Sequence, residues 1–159
     1  MLPPKQPLKE ELVGVLASDL ATLERAQLAA QLGATHDEAK PENDKDTRAL
    51  EQSYLARGQA LRVLELRTEL AFVQNMPLRP FGEEDPIALG ALVMVEDDDH
   101  AQTVFLAPHG GGLVIGGGSV QVVTPASPLG RALLGKRYGE DCVVRVGERL
   151  RELTVVAVA

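Results

Sequence analysis

The stretch THDEAKPENDKDTR, residues 35–48, gathers five carboxylates, Asp37, Glu38, Glu42, Asp44 and Asp46, around Pro41. Exposed carboxylates have pKa values of about 4 and are ionised at neutral pH. Their hard oxygens suit Mg²⁺, which keeps several waters and takes one or two carboxylates. Like charges this close repel and gain nothing by folding. The group therefore reads either as oxygens offered outward or as the acidic start of a helix. Glu42 and Asp44 in a first helical turn would favour the helix dipole by about 0.3–1 kcal/mol each. Asp44 also stands four residues before Arg48, an ion-pair spacing. Asp37 and Glu38 lie earlier and have only Lys40 as a neighbouring cation.

Other strings that could do chemistry lack their context. HGGG at 109–112 is similar to an oxyanion loop, but no G-x-S-x-G nucleophile stands anywhere in the chain. Gly116, Gly117 and Gly118 lack the Gly-Lys-Ser/Thr ending of a phosphate loop. Both triplets read as turns. EDDDH at 96–100 could hold a hard cation, yet no EF-hand spacing surrounds it, and a solvated hairpin tip is expected. His36, His100 and His109 are scattered, with no i, i+4 pair and no neighbouring cysteine for zinc. No metal site of its own is expected.

The elements that must position the carboxylates show in the period of apolar residues. Leu8, Leu12, Leu16, Leu20, Leu23 and Leu28 recur at spacings of three to five, which is helical. Leu50, Tyr54, Leu61, Leu64, Thr68 and Ala71 form a second stripe close to an a/d seam, with Gly58 as a weak point. The short connection predicts an antiparallel hairpin over residues 1–77 with arms roughly 40 Å long. Gly33 would end the first helix and Pro41 would open the second, so the acidic residues near 36–46 become the tip.

Past Pro77 and Pro80 the period falls to about two. IALGALVMVE, TVFLA, GLVIG, VQVVT, CVVRV and LTVVAVA are β-branched runs separated by glycine and acidic turns, the pattern of antiparallel strands. SPLGRALLG is the single helical insert: Ser127 caps, Pro128 starts and Gly135 closes. The fold class is α+β, with residues 78–159 as the second domain.

A net charge of −7 is spread over both halves and argues against either gripping nucleic acid by itself. The absence of Trp, with only three Phe and two Tyr, leaves few platforms for base stacking. A single cysteine, Cys142, excludes an intrachain disulfide and is compatible with a reducing compartment. No run has the make-up of a secretory leader or the length of a bilayer span, so a cytoplasmic protein with no membrane partner is expected.

Two strings together with this order resemble the Gre family of bacterial transcription elongation and transcript-cleavage factors (GreA/GreB). SPLGRALLGKRYGEDCVVRV, 127–146, is similar to that family's C-terminal signature. PENDKDTRALEQ, 41–52, is similar to the start of its second hairpin helix. The resemblance implies an FKBP-like C-terminal domain that docks on bacterial RNA polymerase near the secondary channel. It implies a coiled-coil hairpin whose tip reaches the polymerase Mg²⁺, with indirect contact to nascent RNA. Glu42 would match the family's tip glutamate and Asn43 its asparagine. In the D-L-x-E-N tip pattern, Ala39 and Lys40 stand where aspartate and leucine are expected, so Asp37 or Glu38 would have to substitute, with Asp44 nearby. Docking would fall around Ser127, Pro128, Arg131 and Lys136.

Four functions follow. The first is a cleavage-stimulating accessory factor, not itself an enzyme and with no cofactor of its own, acting as a monomer. The second is a regulator or inhibitor that occupies the same channel without stimulating cleavage, favoured by Ala39 and Lys40. A peptidyl-prolyl isomerase would need an aromatic pocket, for which the second half offers only Phe81, Phe105 and Tyr138. A coiled-coil adaptor would leave the five acids unexplained.

Overall fold

The computed structural model describes residues 1–36 and 47–159, with the side chains of 34–36 left aside. Helix α1 is Lys5–His36 and helix α2 is Thr47–Gln74. None of the described helices is long and apolar enough to cross a membrane. Two compact units divide the chain: Val15–Leu70, and Met1–Gly14 together with Ala71–Ala159.

In the unit Val15–Leu70, α1 and α2 run antiparallel, and Glu24 Oε1 accepts from Arg67 Nε and Nη2 at 3.0 and 2.7 Å. The seam on α1 follows the expected leucines as far as Leu23: Leu16 is buried and Leu20 and Leu23 are half-buried, but Leu28, expected in the same stripe, is 56% exposed. On α2 the expected seam is wrong. Leu50, Tyr54, Leu61 and Leu64 are all more than half exposed, and Thr68 is exposed as well. The residues turned inward are Val63 and Leu66, buried, and Leu70, half-buried. Both stripes have three-and-four spacing, but 54 and 61 sit two positions off 56 and 63. On a helix turning about 100° per residue, that is the far side. Gly33 does not end α1, which continues to His36. An added Cβ at Gly33 would meet nothing within 4 Å.

The other unit holds a six-stranded sheet. Its strands are β1 Leu92–Glu96, β2 Ala101–Leu106, β3 Val114–Ile115, β4 Val120–Val123, β5 Asp141–Val146 and β6 Arg149–Val158, in the order β3-β4-β2-β1-β6-β5. Every apolar run read from the sequence contributes a strand. The sheet is mixed, because β4 pairs with β2 in parallel, Thr103 with Val120 through Leu106 with Val123. The remaining pairings are antiparallel. Helix α3, Pro128–Leu133, lies on one face.

That face carries the main core: Val93, Val95, Val104, Leu106, Val123, Leu133, Val144, Leu153 and Val155, with Phe81 and Ile87. Alternation puts Leu92, Phe105, Val120 and Val122 on the opposite face, where they too are buried. The first turns of α1 belong to this unit, and Leu8 and Leu12 are buried in it with Val73 and Met76. Leu12 lies so close to Gly110 that an added Cβ there would sit 2.7 Å from Leu12 Cδ1. At Gly116 the Cβ would sit 2.9 Å from Leu8 Cδ2. Both glycine triplets are turns, as expected. Gly110 and Gly116 also have positive φ, so sterics and backbone conformation select glycine together.

Polar clamps complete the seat of α1. Lys9 Nζ donates to the Met76 carbonyl at 2.7 Å, and Lys5 Nζ donates to the carbonyl of Arg79. The N–H of Gly116 donates to Glu11 Oε2 at 2.8 Å. Lys5 and Arg79 both lie over the Phe81 ring, at 4.8 and 3.9 Å from its centroid. Burial, and then the Arg79 charge, hold the Lys5 ammonium below its ordinary pKa.

Candidate functional site

The acid-rich stretch is the link between the two long helices, since α1 ends at His36 and α2 begins at Thr47. Asp37, Glu38, Glu42, Asn43 and Asp44 lie outside the described residues, as do Ala39, Lys40, Asp46 and the expected helix start at Pro41.

Approaching the link, the seam changes character. Gln27, Ala30 and Gln31 of α1 face Gln52, Ala56 and Gln59 of α2 around a cavity of about 440 Å³, with Gly33 and Leu55 at its rim. The heptad positions persist, since 16, 20, 23, 27, 30 and 52, 56, 59, 63, 66 keep the four-and-three step. Large apolar side chains fill them only as far as Leu23 and Val63. Beyond that, alanine and glutamine leave the seam underfilled.

The C-terminal candidates come together at α3. Ser127 Oγ accepts from the Gly130 N–H at 3.0 Å and donates to the Thr124 carbonyl at 2.8 Å, an N-cap that also ties the helix to β4. Pro128 is exposed at the first helical turn, and Arg131, also exposed, follows one turn later. Lys136 is half-buried past the helix, its backbone bonded to Ile87 and Leu133. Sequence reading missed Gly130. A Cβ there would lie 1.9 Å from the Thr124 carbonyl oxygen. The Ser-Pro-x-Gly order is therefore cap, start and close approach in one turn; the glycine two residues after Pro128 was the available signal.

The remaining strings have structural partners. In the EDDDH turn, Asp97 Oδ1 accepts the N–H groups of Asp99 and His100, and Oδ2 accepts from Arg151. The Arg151 hydrogen bond, then those two N–H groups, lower the Asp97 pKa to about 2. His109 packs its ring against Phe72, with centroids 5.6 Å apart. Among the described residues, no group of three or more His, Cys, Asp or Glu could hold a metal. Cys142 is buried in the core, and that burial raises its thiol pKa.

Residues 82–159 match the family described as transcription elongation factor, GreA/GreB, C-term. Among solved structures, the chain is similar to GreA factor homolog 1 (Gfh1) of Thermus thermophilus, with 21% identity over 92% of this chain and 94% of that one, at a TM-score of 0.41. Gfh1 of Thermus aquaticus is similar at 21% identity over 91% and 92%, TM-score 0.42. A GreA/GreB factor from Nitrosomonas europaea is similar at 17% identity over 58% and 78%, TM-score 0.36. No curated protein matches. The family assignment rests on the match to residues 82–159, not on these distant likenesses.

Proposed function

Because the chain belongs to the GreA/GreB family of transcription elongation factors through residues 82–159, we propose that it binds bacterial RNA polymerase at the secondary channel. In this reading its acidic inter-helix link reaches toward the polymerase Mg²⁺. One observation supports it above others. Two long antiparallel helices flank a stretch of sequence that carries five carboxylates and no apolar residue larger than alanine or proline.

The chemistry belongs to the polymerase, so the chain is an accessory factor and not an enzyme. Hydrolysis of a backtracked transcript is a phosphodiester cleavage assisted by two metal ions. Ionised oxygens from Glu42, with Asp37 or Glu38, would steady the more weakly held ion and help orient the attacking water. Asn43 and Asp44 would shape the link beside them. Docking would use the exposed turn at Pro128 and Arg131, with Ser127 and Lys136 holding it in place.

A second reading has a specific observation in its favour. Ala39 and Lys40 stand where the family's cleavage-active pattern has aspartate and leucine, so the same docking would regulate or inhibit without stimulating cleavage.

Backtracked elongation complexes separate the two. The first reading expects faster release of short 3′ RNA fragments on adding the protein, with the gain lost in Glu42→Ala. Polymerase binding with unchanged or suppressed cleavage establishes the second. Absence of polymerase binding in a pull-down overturns both.

A further inference from the structure

Among the described residues, strand β5 ends the sheet and no strand lies on its outer side. Its ladder with β6 fixes which main-chain groups remain free. The Val155 N–H donates to the Glu140 carbonyl at 3.0 Å, and the register continues with Cys142 opposite Leu153, Val144 opposite Arg151 and Val146 opposite Arg149. Hydrogen-bonded pairs alternate along an antiparallel ladder. Cys142, Val144 and Val146 therefore bond to β6, while Asp141, Val143 and Arg145 turn their N–H and C=O groups outward. Among the described residues, no backbone hydrogen bond from outside the ladder reaches those groups.

The same three residues share one face by alternation, opposite the buried Cys142 and Val144. Val143 is 56% exposed, and Leu150, across from Arg145, is 65% exposed. Open edges are ordinarily guarded by proline, a bulge or repelling charge. β5 contains no proline, and its register with β6 has no shift from Asp141 to Val146; the one bulge lies just before it, where Val155 bonds to both Gly139 and Glu140. Its two outward charges have opposite signs and stand four residues apart.

That spacing makes the edge complementary to itself. Let a second β5 run antiparallel about a two-fold axis at Val143. Val143 then meets its own copy, and Asp141 meets Arg145 at both ends. Outward-pointing groups pair with outward-pointing groups, forming about six main-chain hydrogen bonds at two per close pair. Asp141 Oδ1 already accepts from Thr154 Oγ1 at 2.7 Å, which holds the carboxylate on this face with its other oxygen left for the arriving arginine. A parallel arrangement would set like charges beside each other, and a slip of two residues would forfeit both ion pairs, so one register is selected.

We propose that the chain forms a two-fold homodimer by pairing β5 with β5 of a second copy, in place of the monomer expected from the sequence. The sheet then continues across the axis. This pairing is independent of the polymerase reading, and either can fail without the other.

Sedimentation velocity tests it on the full chain. The dilution series runs from on the order of 1 mM to 10 µM, where an interface below standard size dissociates. The sedimentation coefficient is expected to climb toward the dimer value at the top of the series. Val143→Pro removes an edge N–H that β6 does not use, which an edge strand tolerates. It should move the midpoint at least about tenfold upward, a loss of about 1.4 kcal/mol, with the circular dichroism unchanged. Arg145→Asp and Asp141→Arg should each abolish association alone. An equimolar mixture should restore it, because every interface then regains two opposite pairs. A wild type that stays monomeric at the highest concentration overturns the proposal. So does a dimer indifferent to Val143→Pro, or a mixture that associates no more than its components.

Discussion

Replacing Gly130 with alanine sets two physical effects against each other, and the contact geometry decides the sign. By propensity alone, alanine in a helix is worth about 1 kcal/mol over glycine, so the change would stabilise α3. The added Cβ, however, would lie 1.9 Å from the Thr124 carbonyl oxygen and 2.7 Å from its carbon, both backbone atoms with no rotamer to change. Restoring ordinary contact near 3.4 Å means moving α3 or β4's end by about 1.5 Å. Overpacking of this kind costs about 1–3 kcal/mol. The shift also stretches the cap, since Ser127 Oγ bonds both Gly130 N and Thr124 O, and a lost serine cap costs about 1 kcal/mol. The balance is a destabilisation of about 1–3 kcal/mol. In a domain of this size that lowers the midpoint by roughly 5–20 °C. Calorimetry reads it directly, since the chain has no Trp to report on α3. Gly58→Ala is the control: an added Cβ meets nothing within 4 Å inside α2, so only propensity operates and the change should stabilise by up to about 1 kcal/mol. A Gly130→Ala protein as stable as wild type or more so would refute the close-approach account of the Ser-Pro-x-Gly turn.

Two further outcomes are expected. In α2, Val63→Ala and Leu66→Ala should destabilise the hairpin by about 1–4 kcal/mol each, while Leu61→Ala and Leu64→Ala should stay within about 0.5 kcal/mol; chemical denaturation measures both, and equal effects would contradict the assigned seam. Asp97 has a folded pKa of about 2 against 3.8, so its stabilising contribution is complete above pH 3.8 and lost as pH falls through about 2. Asp97→Asn should accordingly open a stability gap from wild type that is constant above pH 4 and closes toward pH 2, read from melts across that range.

The contrast between the helices shows what periodicity can and cannot specify. On α1 the leucines at 8, 12, 16, 20 and 23 are buried or half-buried as their stripe predicts, while Leu28, the last of that stripe, is exposed. On α2 two stripes share the same three-and-four step. The stripe richer in large apolar residues, Leu50, Tyr54, Leu61 and Leu64, is exposed, while the stripe in which Val63 and Leu66 are buried carries Gln52, Ala56 and Gln59 nearer the link. Hydrophobic count alone picks the wrong face. Only the partner helix, whose own seam turns to Gln27, Ala30 and Gln31 at the matching height, tells which α2 stripe it meets. Strands were easier to find, since β-branched runs between glycine turns need no partner to be recognised. Their pairing was not: β4 is parallel to β2 because the chain first passes β4's place to form β3 and then returns between β3 and β2, which no local pattern encodes.

The candidate site divides along the same line. Ser127 and Pro128 declared themselves because capping is a local event, complete within one turn. Gly110 and Gly116 did not, because their reason is Leu12 and Leu8, roughly a hundred residues away in sequence. Those contacts account for the first glycine of each triplet. The turns leave room for the first turns of α1, which Lys9 and Glu11 then fasten through main-chain partners. The first turns of α1 thus pack within the same unit as the residues that match the GreA/GreB family. The seat of those turns rests on close backbone approach at Gly110 and Gly116 and on buried Leu8 and Leu12, with charge only at the margin.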